Sequence, residues 1–311
     1  MTRWLLLLSI GCTDKSKSPA VDSSIESVDE TDTNEAIDEM DTSDSGMNSA
    51  VDTCVEPTNP SPLAEKNCVL QAACMWDGAQ YYGNFGHTVD VGGDVDGDGL
   101  VDWVIGAPYE DKMVGDEVAQ LDVGAAHIFL GASRTTDTHA RTQLMGTSAA
   151  SSLGYAVIIA PDLNGDGLDD VVAGGRGTHT DTIIAAGEVQ ILLGRDGGWD
   201  TATPTPDLVW FGGQEMARAG SVVAGLGDLN GDGMGELAAA TNQRQTSGSG
   251  YEQPAQGAVA LFYGKEDFHS YTTLESASAL ISGVGPTDSA GAAIASGDLN
   301  GDGYMDLIIG A

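Results

Sequence analysis

The sequence predicts an all-β protein built from repeated units of short antiparallel strands. Downstream of residue 76, a nine-residue acidic segment occurs four times, at 94–102, 162–170, 228–236 and 298–306. The starts of these segments are separated by 68, 66 and 70 residues. The stretches that follow them, such as WVIGA, VVAGG and LIIGA, are short, apolar and interrupted by glycine. This pattern is typical of strands joined by turns rather than of helices, which need longer periodic runs.

Each unit carries its features in a fixed order. A glycine precedes each acidic segment by seven or eight residues, and these glycines are Gly86, Gly154, Gly220 and Gly291. In the first three units a segment of the form GxxxxxxG follows, at 124–131, 187–194 and 257–264. Because chance does not reproduce the same order of features so often, the units are copies of one structural repeat.

The composition restricts the class of protein. The chain has 311 residues, of which 41% are hydrophobic, and this is enough for one sizeable core in the repeat region. The net charge is −35, from 47 acidic residues against 12 Lys and Arg. Such a charge repels nucleic acids and anionic membrane surfaces and attracts cations. We therefore expect no nucleic-acid partner.

The chain divides into four predicted segments. Residues 1–12 contain one positive charge and a seven-residue apolar run, which is too short to span a bilayer but suits an export signal. Residues 13–53 are rich in Asp, Glu, Ser and Thr, which predicts a disordered acidic linker. Residues 54–75 form a cysteine-containing connector, and residues 76–311 contain the repeats.

The cysteines favour an exported protein, since the repeat region has none. Gly11 and Cys12 resemble a bacterial lipoprotein cleavage site, in which the cysteine becomes the lipid-modified N-terminus, although Ser9 stands where such sites prefer leucine. Lipidation of Cys12 would leave one pair and one odd thiol among Cys54, Cys68 and Cys74, and the sequence does not choose the pairing. We expect a lipoprotein of the cell surface or outer membrane, or a secreted protein.

The acidic segments have the pattern of a loop that binds a hard cation. In DVDGDGLVD, the side chains at positions 1, 3, 5 and 9 and the backbone carbonyl at position 7 can supply oxygen ligands. Ca²⁺ takes about six to eight oxygens, and a glycine at position 6 allows the sharp bend that gathers them. The predicted ligands are Asp94, Asp96, Asp98, Leu100 and Asp102; Asp162, Asn164, Asp166, Leu168 and Asp170; Asp228, Asn230, Asp232, Met234 and Glu236; and Asp298, Asn300, Asp302, Tyr304 and Asp306. Asn at position 3 removes one charge, which predicts weaker binding in the last three loops.

Two other interpretations of these loops fit the pattern less well. Asp, Asn and Gly form turns without metal, but a turn does not require mutually repelling carboxylates at positions 1, 5 and 9 in every copy. An EF-hand shares the opening DxDxDG but needs a glutamate at position 12, where this chain has Ile105, Ala173, Ala239 and Ile309. We therefore predict metal sites, with Ca²⁺ preferred over Mg²⁺ because the ligand count is high and the backbone contributes.

The repeats resemble the FG-GAP repeats of integrin α subunits and their bacterial relatives. The first unit is the most similar, with Phe85-Gly86, the acidic loop, Gly106-Ala107-Pro108 and the GAAHIFLG segment. In the later units Leu153-Gly154, Ala219-Gly220 and Ala290-Gly291 replace Phe-Gly, while the acidic loops are retained. The resemblance covers residues 76–311.

This resemblance implies a β-propeller with four-stranded antiparallel blades, calcium loops on one face and partner contacts on the other. Propellers of this family have about seven blades, whereas this sequence contains three units and the start of a fourth. We therefore expect an incomplete seven-bladed propeller, and we interpret the end at Ala311 as the truncation of a longer protein.

The resemblance also implies an adhesion or protein-interaction module that binds an extracellular protein or glycan and is not an enzyme. The sequence contains no GxSxG, HExxH or Walker motif. Glu188, Glu215 and Asp181 lie outside the acidic loops, but no pattern links them as a glycosidase pair.

Two alternatives remain open at the level of the sequence. The chain could be an accessory domain of a secreted hydrolase, or a carbohydrate-binding protein. The second alternative depends on scattered aromatic residues, which more often pack inside a β protein than bind sugar. These residues are Trp199, Trp210, Tyr251 and Tyr263.

Overall fold

The computed structural model describes residues 4–14, 66–77, 80, 82–115, 117–131, 141–241, 256–285 and 287–311, the first two ranges and residue 141 as backbone alone. Nearly all of the predicted linker and the first part of the connector lie outside these residues. The strands β1 (Trp4–Asp14) and β2 (Lys66–Asp77) pair with each other in a two-stranded sheet. The interpretation of residues 1–12 as an export signal stays a prediction.

The first repeat forms a four-stranded antiparallel sheet, which we call blade one. In chain order its strands are β3 (Val89–Val91), β4 (Trp103–Ala107), β5 (Lys112–Val114), β6 (Glu117–Gln120), β7 (Ala125–Phe129) and β8 (Arg141–Met145). The sheet has the order β3-β4-β7-β8, and β5 pairs with β6 in a separate hairpin between the second and third strands of the sheet.

The second and third repeats form sheets of the same topology. Blade two contains β9 (Leu153–Ala160), β10 (Asp170–Gly175), β11 (Glu188–Leu192) and β12 (Leu208–Phe211). Blade three contains β13 (Val223–Gly227), β14 (Glu236–Thr241), β15 (Ala258–Phe262) and β16 (Ala279–Ser282), with short 3-10 helices at Phe268–Ser270 and Leu274–Ser276 before β16. The fourth repeat contributes β17 (Ala293–Gly297) and β18 (Asp306–Gly310), which pair with each other.

The second strands of the blades are apolar on both faces because each inner blade packs between two neighbours. In β10, Val171 belongs to a core cluster that includes Ile128 of blade one. The next residue, Val172, belongs to a different cluster that includes Phe262 of blade three. Successive side chains of a strand point to opposite faces, so a sheet covered on both sides has a continuous apolar run. This explains the short apolar stretches that follow each acidic segment.

The glycines of the GxxxxxxG segments lie where neighbouring blades touch. Gly124 forms a parallel bridge with Leu153 of blade two and has a φ of 75°. A Cβ atom at this position would lie 2.4 Å from the backbone N and O atoms of Leu153. Gly187 and Gly257 form the same bridge to the next blades. Only glycine allows the third strand of one blade to approach the first strand of the next so closely.

The described repeats contain three four-stranded blades and one two-stranded part, which confirms the predicted all-β fold with propeller blades. The first strands are neighbours, since β9 contacts both β3 and β13, and β13 contacts β17. These four strands therefore lie innermost, around the axis of the propeller. The acidic loops follow the first strands and so lie at one end of this axis.

Candidate metal centre

The aspartate at position 1 of each acidic loop folds the loop around its own carboxylate. In the first loop, Asp94 accepts hydrogen bonds from the backbone N–H groups of Gly97 at 2.7 Å and Gly99 at 2.8 Å. Gly99 has a φ of 81°, which satisfies the predicted need for glycine at position 6. The same pair of bonds is accepted by Asp162, Asp228 and Asp298.

The aspartate at position 5 closes the second half of each loop. Asp98 Oδ1 accepts the backbone N–H of Leu100 at 2.7 Å. The equivalent bonds join Leu168 to Asp166, Met234 to Asp232 and Tyr304 to Asp302. The four loops therefore share one conformation. The role of the position-7 carbonyl oxygens as ligands stays a prediction.

The carboxylate at position 9 anchors the loop to the blade. Asp102 is fully buried, and it accepts the N–H of Val95 at 2.7 Å and the N–H of Gly131 at 2.5 Å. Asp170 makes the same two bonds, with Leu163 at 2.8 Å and Gly194 at 2.9 Å. Gly131 and Gly194 are the last glycines of the GxxxxxxG segments. The sequence alone does not reveal this contact, because the glycine that donates the N–H group lies beyond the third strand of the blade.

In the first and third loops, three carboxylates lie within reach of one ion. Each offers one oxygen, and the three oxygens lie within 4.8 Å of one another. The groups are Asp94, Asp96 and Asp102, and Asp228, Asp232 and Glu236. Carboxylates this close repel one another unless protons or a cation neutralise them. The arrangement therefore suits a bound cation.

Position 3 distinguishes the first loop from the second and third. Asp96 is a buried carboxyl, and its burial raises its pKa. Asn164 and Asn230 instead donate their amide N–H groups to the position-5 carboxylates, each at 2.9 Å. An amide that faces a carboxylate relieves part of the repulsion that a cation would otherwise relieve. The weaker binding expected for the loops with asparagine stays a prediction.

Burial raises the pKa of the position-9 carboxyls, to about 6 for Asp102, about 7 for Asp170 and about 6 for Glu236. Neighbouring carboxylates of the same loop raise these pKa values further, while backbone N–H groups lower them. A cation beside such a carboxylate favours its ionised form. Because the predicted ligands are all oxygen atoms, they fit a hard divalent cation better than zinc or copper.

The loops of neighbouring blades are hydrogen-bonded to each other. The N–H of Gly235, at position 8 of the third loop, donates to the carbonyl of Asp162 in the second loop at 2.7 Å. The N–H of Met305 in the fourth loop donates to the carbonyl of Asp228 in the third loop at 3.1 Å. Position 8 of one loop therefore contacts position 1 of the loop before it. Position 1 is a predicted ligand, and position 8 lies between the predicted ligands at positions 7 and 9.

Glu188, which no sequence pattern explained, is fully buried at the junction of blades one and two. Its carboxylate accepts hydrogen bonds from the N–H of Thr147 at 3.2 Å, from the hydroxyl of Thr147 at 2.6 Å and from the hydroxyl of Ser151. A second buried polar pair joins His127 to Glu110 at 2.8 Å in blade one. Glu188, Gln190 and His127 are buried polar residues in mostly apolar GxxxxxxG segments, and this is the sequence feature that could have identified Glu188 and His127.

The aromatic residues considered for sugar binding divide between core and surface. Trp210 is 1% exposed, stacks on Phe262 with a centroid distance of 4.2 Å and donates its indole N–H to the carbonyl of Tyr271. Trp199 packs against the cluster between blades one and two, and Tyr263 is 39% exposed. Tyr251 lies outside the described residues. Trp210 is therefore a core residue.

Residues 85–129 and 290–311 match the family model of the FG-GAP repeat. Two stretches of the chain are therefore similar to FG-GAP repeats. The first matched stretch begins at Phe85 and contains the first acidic loop, and the second stretch contains the fourth. The second and third loops lie outside the matched stretches, but they have the same hydrogen bonds and blade topology as the FG-GAP repeats around them.

The chain is also similar to integrin alpha chains of animals. It is 32% identical to integrin alpha-5 of Xenopus laevis over 252 residues, which are 78% of this chain and 21% of that protein. It is 33% identical to integrin alpha-IIb of Mus musculus over 190 residues, which are 58% of this chain and 17% of that protein. Integrin alpha-PS2 of Drosophila melanogaster is 29% identical over 229 residues, which are 71% of this chain and 15% of that protein.

The chain thus spans about a fifth or less of the length of the integrin alpha chains that it matches. The FG-GAP matches and these similarities support an integrin-type FG-GAP protein. Within the described residues, no helix has the length and the hydropathy needed to cross a membrane.

Proposed function

We propose that this chain is a calcium-binding β-propeller of the cell exterior that acts as an adhesion or protein-interaction module. The proposal is supported by the four acidic loops of one conformation, the FG-GAP matches and the similarity to integrin alpha chains. Calcium would stabilise the blades, and loops at the other end of the propeller would contact an extracellular protein or glycan.

One observation carries the calcium proposal: oxygens of Asp94, Asp96 and Asp102 lie within 4.8 Å of one another in a partly buried site. Uncompensated charge in such a site is costly, and a divalent cation offsets it. Ca²⁺ accepts many oxygen ligands in a flexible geometry, whereas Mg²⁺ demands a near-ideal octahedron and keeps several waters. A nine-residue loop with carboxylates and a backbone carbonyl suits Ca²⁺.

Calorimetric titration of the full chain with calcium tests this proposal. We expect about four ions per chain, one for each loop, with weaker binding in the loops with asparagine. Asp94→Asn should remove binding at the first loop, because the residue is both a predicted ligand and the hydrogen-bond centre of the loop. Asp200→Asn removes one charge from an exposed position outside the loops and should leave the binding unchanged.

Chelation provides the second readout for calcium. A ligand at about 100 times its Kd stabilises the folded state by about 2.7 kcal/mol per site. For a domain of this size, each 1 kcal/mol corresponds to about 2–4 °C in Tm. We therefore expect EDTA to lower the Tm by at least about 5 °C for each occupied loop. A chain that binds no calcium and melts at the same temperature with and without EDTA would contradict the proposal.

The adhesion proposal is tested separately, with beads that carry the full chain. Calcium-dependent binding of these beads to extracellular matrix proteins or to cell surfaces, and its loss in EDTA, is the expected result. Beads that carry the Asp94→Asn and Asp200→Asn variants distinguish loss of a metal site from loss of one charge. Binding that is the same with calcium and with EDTA would show that adhesion does not depend on the metal sites.

We also propose export, with Cys12 as the site of a lipid anchor. The support is the short apolar run before Gly11-Cys12 and the predicted acidic linker after it. Expression in bacteria with an alkyne-tagged fatty acid should label the wild-type chain and not the Cys12→Ala variant. A Cys54→Ala variant should be labelled like the wild type. Equal labelling of the Cys12→Ala variant would exclude the anchor at Cys12.

A further inference from the structure

The second, third and fourth acidic loops each lie against the loop before them. The N–H groups at position 8 of these loops donate to the carbonyl at position 1 of the preceding loop, at 3.1, 2.7 and 3.1 Å. In the same three places, the side chain at position 7 packs on the glycine at position 4 of the preceding loop. The pairs are Leu168 and Gly97, Met234 and Gly165, and Tyr304 and Gly231.

Met234 is the only described side chain that packs on Gly165. Its Sδ atom lies 3.0 Å and its Cγ atom 3.5 Å from the point that a Cβ atom of Gly165 would occupy. Apart from Gly165 and its chain neighbours, no other described residue has an atom within 4 Å of that point. At Gly97, by contrast, Leu168 Cδ2 at 3.2 Å and Asp196 Oδ1 at 3.5 Å share the space. The second loop therefore offers the clearest test of what the position-7 side chain does.

Gly165 is surrounded by predicted ligands of the second loop. It lies between Asn164 and Asp166 in the chain, and its N–H donates to Asp162 Oδ1 at 2.6 Å. Its φ is 78°, a conformation that favours glycine, and the missing Cβ leaves room for the thioether of Met234. A side chain that packs on Gly165 therefore lies beside three predicted ligands of one ion.

Met234 has separate contacts with two loops. Its backbone carbonyl is a predicted ligand of the third loop, whereas its half-buried side chain packs on the second loop. Its Cβ atom lies 2.6 Å from the Cβ position of Gly264 in its own blade, and only atoms beyond Cβ come within 4 Å of that of Gly165. Truncation to alanine therefore keeps the carbonyl and the contact with Gly264, and it removes the contact with the second loop.

We propose that the Met234 side chain covers one side of the metal site of the second loop and slows the escape of its ion. Leu168 does the same for the first loop. An apolar side chain keeps water away from the ligand oxygens, which strengthens the attraction between carboxylates and a cation. It also favours Ca²⁺ over Mg²⁺, because Mg²⁺ keeps several of its waters. The inference rests on the proposed calcium binding, and it adds that a residue of the next repeat controls the site.

Stopped-flow release of calcium into an excess of a fluorescent chelator tests the inference on the full chain. We expect Met234→Ala to speed the release of one ion about fivefold, because water then reaches the carboxylates of the second loop. Met234→Leu keeps an apolar side chain of similar volume and should release calcium at the wild-type rate. Leu100→Ala is the matched control at position 7, since among the described residues Leu100 packs on no position-4 glycine of another loop. It should leave every release rate unchanged.

Two double variants assign the effect to one loop. Asp162→Asn removes the second site, so the addition of Met234→Ala to it should change no release rate. Asp228→Asn removes the third site, to which Met234 itself belongs, and the addition of Met234→Ala should still speed the release of one ion. The reverse pattern would place the effect in the third loop and would overturn the inference.

Hydrogen exchange in EDTA gives a readout that needs no metal. The N–H groups of Gly165 and Gly167 donate to Asp162 inside the loop that Met234 covers. We expect a peptide that contains residues 162–168 to exchange about threefold faster in Met234→Ala and at the wild-type rate in Leu100→Ala. Wild-type release of calcium from Met234→Ala would overturn the inference. A lower Tm of this variant with wild-type release and exchange would show a purely structural contact and would also overturn it.

Calcium calorimetry on the wild-type chain distinguishes the two proposals. Normal calcium binding, together with wild-type release from Met234→Ala, overturns the role of Met234 and leaves the calcium proposal standing. A wild-type chain that binds no calcium overturns both proposals, whatever the hydrogen exchange of the loop.

Discussion

The backbone N–H of Asp94 donates to the side chain of Asp169 at 2.9 Å, and the N–H of Asp169 donates to the carbonyl of Asp94 at 3.1 Å. Asp94 is position 1 of the first acidic loop, and Asp169 is position 8 of the second. This reciprocal pair joins blades one and two at the point where each would hold an ion. Because these two hydrogen bonds connect the loops, an ion that orders one loop also orders part of the next loop.

The first prediction is energetic coupling between adjacent loops. Asp98→Asn and Asp166→Asn each remove the charge of a predicted ligand without removing the bonds between Asp94 and Asp169. We expect the double variant to depart from additivity in calcium-binding free energy by about 0.5–3 kcal/mol, as residues in one network do. Asp98→Asn combined with Asp302→Asn, in the non-adjacent fourth loop, should be additive within about 0.5 kcal/mol. Calorimetry measures both cycles, and additivity in both would exclude the coupling.

The second prediction concerns the pH dependence of the metal-free protein. The folded-state pKa values of Asp102 and Asp170, about 6 and about 7, lie above those of carboxyls in an unfolded chain. The folded state therefore holds protons more tightly, so this contribution to stability is complete at low pH and is lost as the pH rises through about 6 to 7. In EDTA, we expect a higher Tm at pH 5.5 than at pH 8.

Calcium and one pair of variants serve as controls for this pH effect. Saturating calcium should stabilise the protein more at pH 8 than at pH 5.5, because the ion needs ionised carboxylates. Asp170→Asn should reduce the pH dependence in EDTA, whereas Asp200→Asn, at an exposed site, should not. A metal-free protein that is more stable at pH 8 would show that the position-9 carboxyls do not set the pH dependence.

The third prediction concerns the glycine bridges between blades. Gly124 and Gly115 have positive φ values, of 75° and 64°, so alanine is strained at both by about 1–2 kcal/mol. Gly115 has open space around its Cβ position, but at Gly124 the Cβ would meet the backbone of Leu153. Gly124→Ala should therefore cost an additional amount of about 1–3 kcal/mol. Urea denaturation in saturating calcium measures the difference, and equal losses would contradict a tight contact between the blades.

The fourth prediction concerns the buried Glu188. Glu188→Ala removes the acceptor of three hydrogen bonds and leaves polar groups of Thr147 and Ser151 without that partner. We expect a loss of stability of about 1–3 kcal/mol. Glu215→Ala, at an exposed position in the same blade, should change stability by less than about 0.5 kcal/mol. Similar losses in the two variants would mean that Glu188 does not join blades one and two.

Much of the blade structure could be predicted because its determinants are local. The short apolar stretches interrupted by glycine predicted a strand directly after each acidic loop. These strands are β4, β10, β14 and β18. The loop conformation was also predictable, since Asp94 bonds to Gly97 and Gly99 within the same nine residues. The spacing of the carboxylates does not by itself decide which oxygens converge, since groups of three within 4.8 Å of one another form in the first and third loops but not in the second and fourth.

The contacts between blades could not be predicted in this way. Asp102 reaches Gly131 beyond the third strand of its own blade, and Asp94 pairs with Asp169, 75 residues further along the chain. The sequence does not show which acidic residue accepts a given N–H group when many lie at similar spacing. Glu188 is an example, since the GxxxxxxG segment does not identify its hydroxyl partners Thr147 and Ser151, which lie 41 and 37 residues earlier in the chain.

The sequence by itself determined the repeat, the strand-forming stretches and the hydrogen-bonded turn within each acidic loop, because all of these depend on neighbours a few positions away. Only the tertiary structure decided how the loops connect and which side chains meet at the axis. His87, Tyr155 and Ser221 line one cavity because the first strands of three blades lie side by side. That arrangement depends on the packing of blade against blade, which no single repeat encodes.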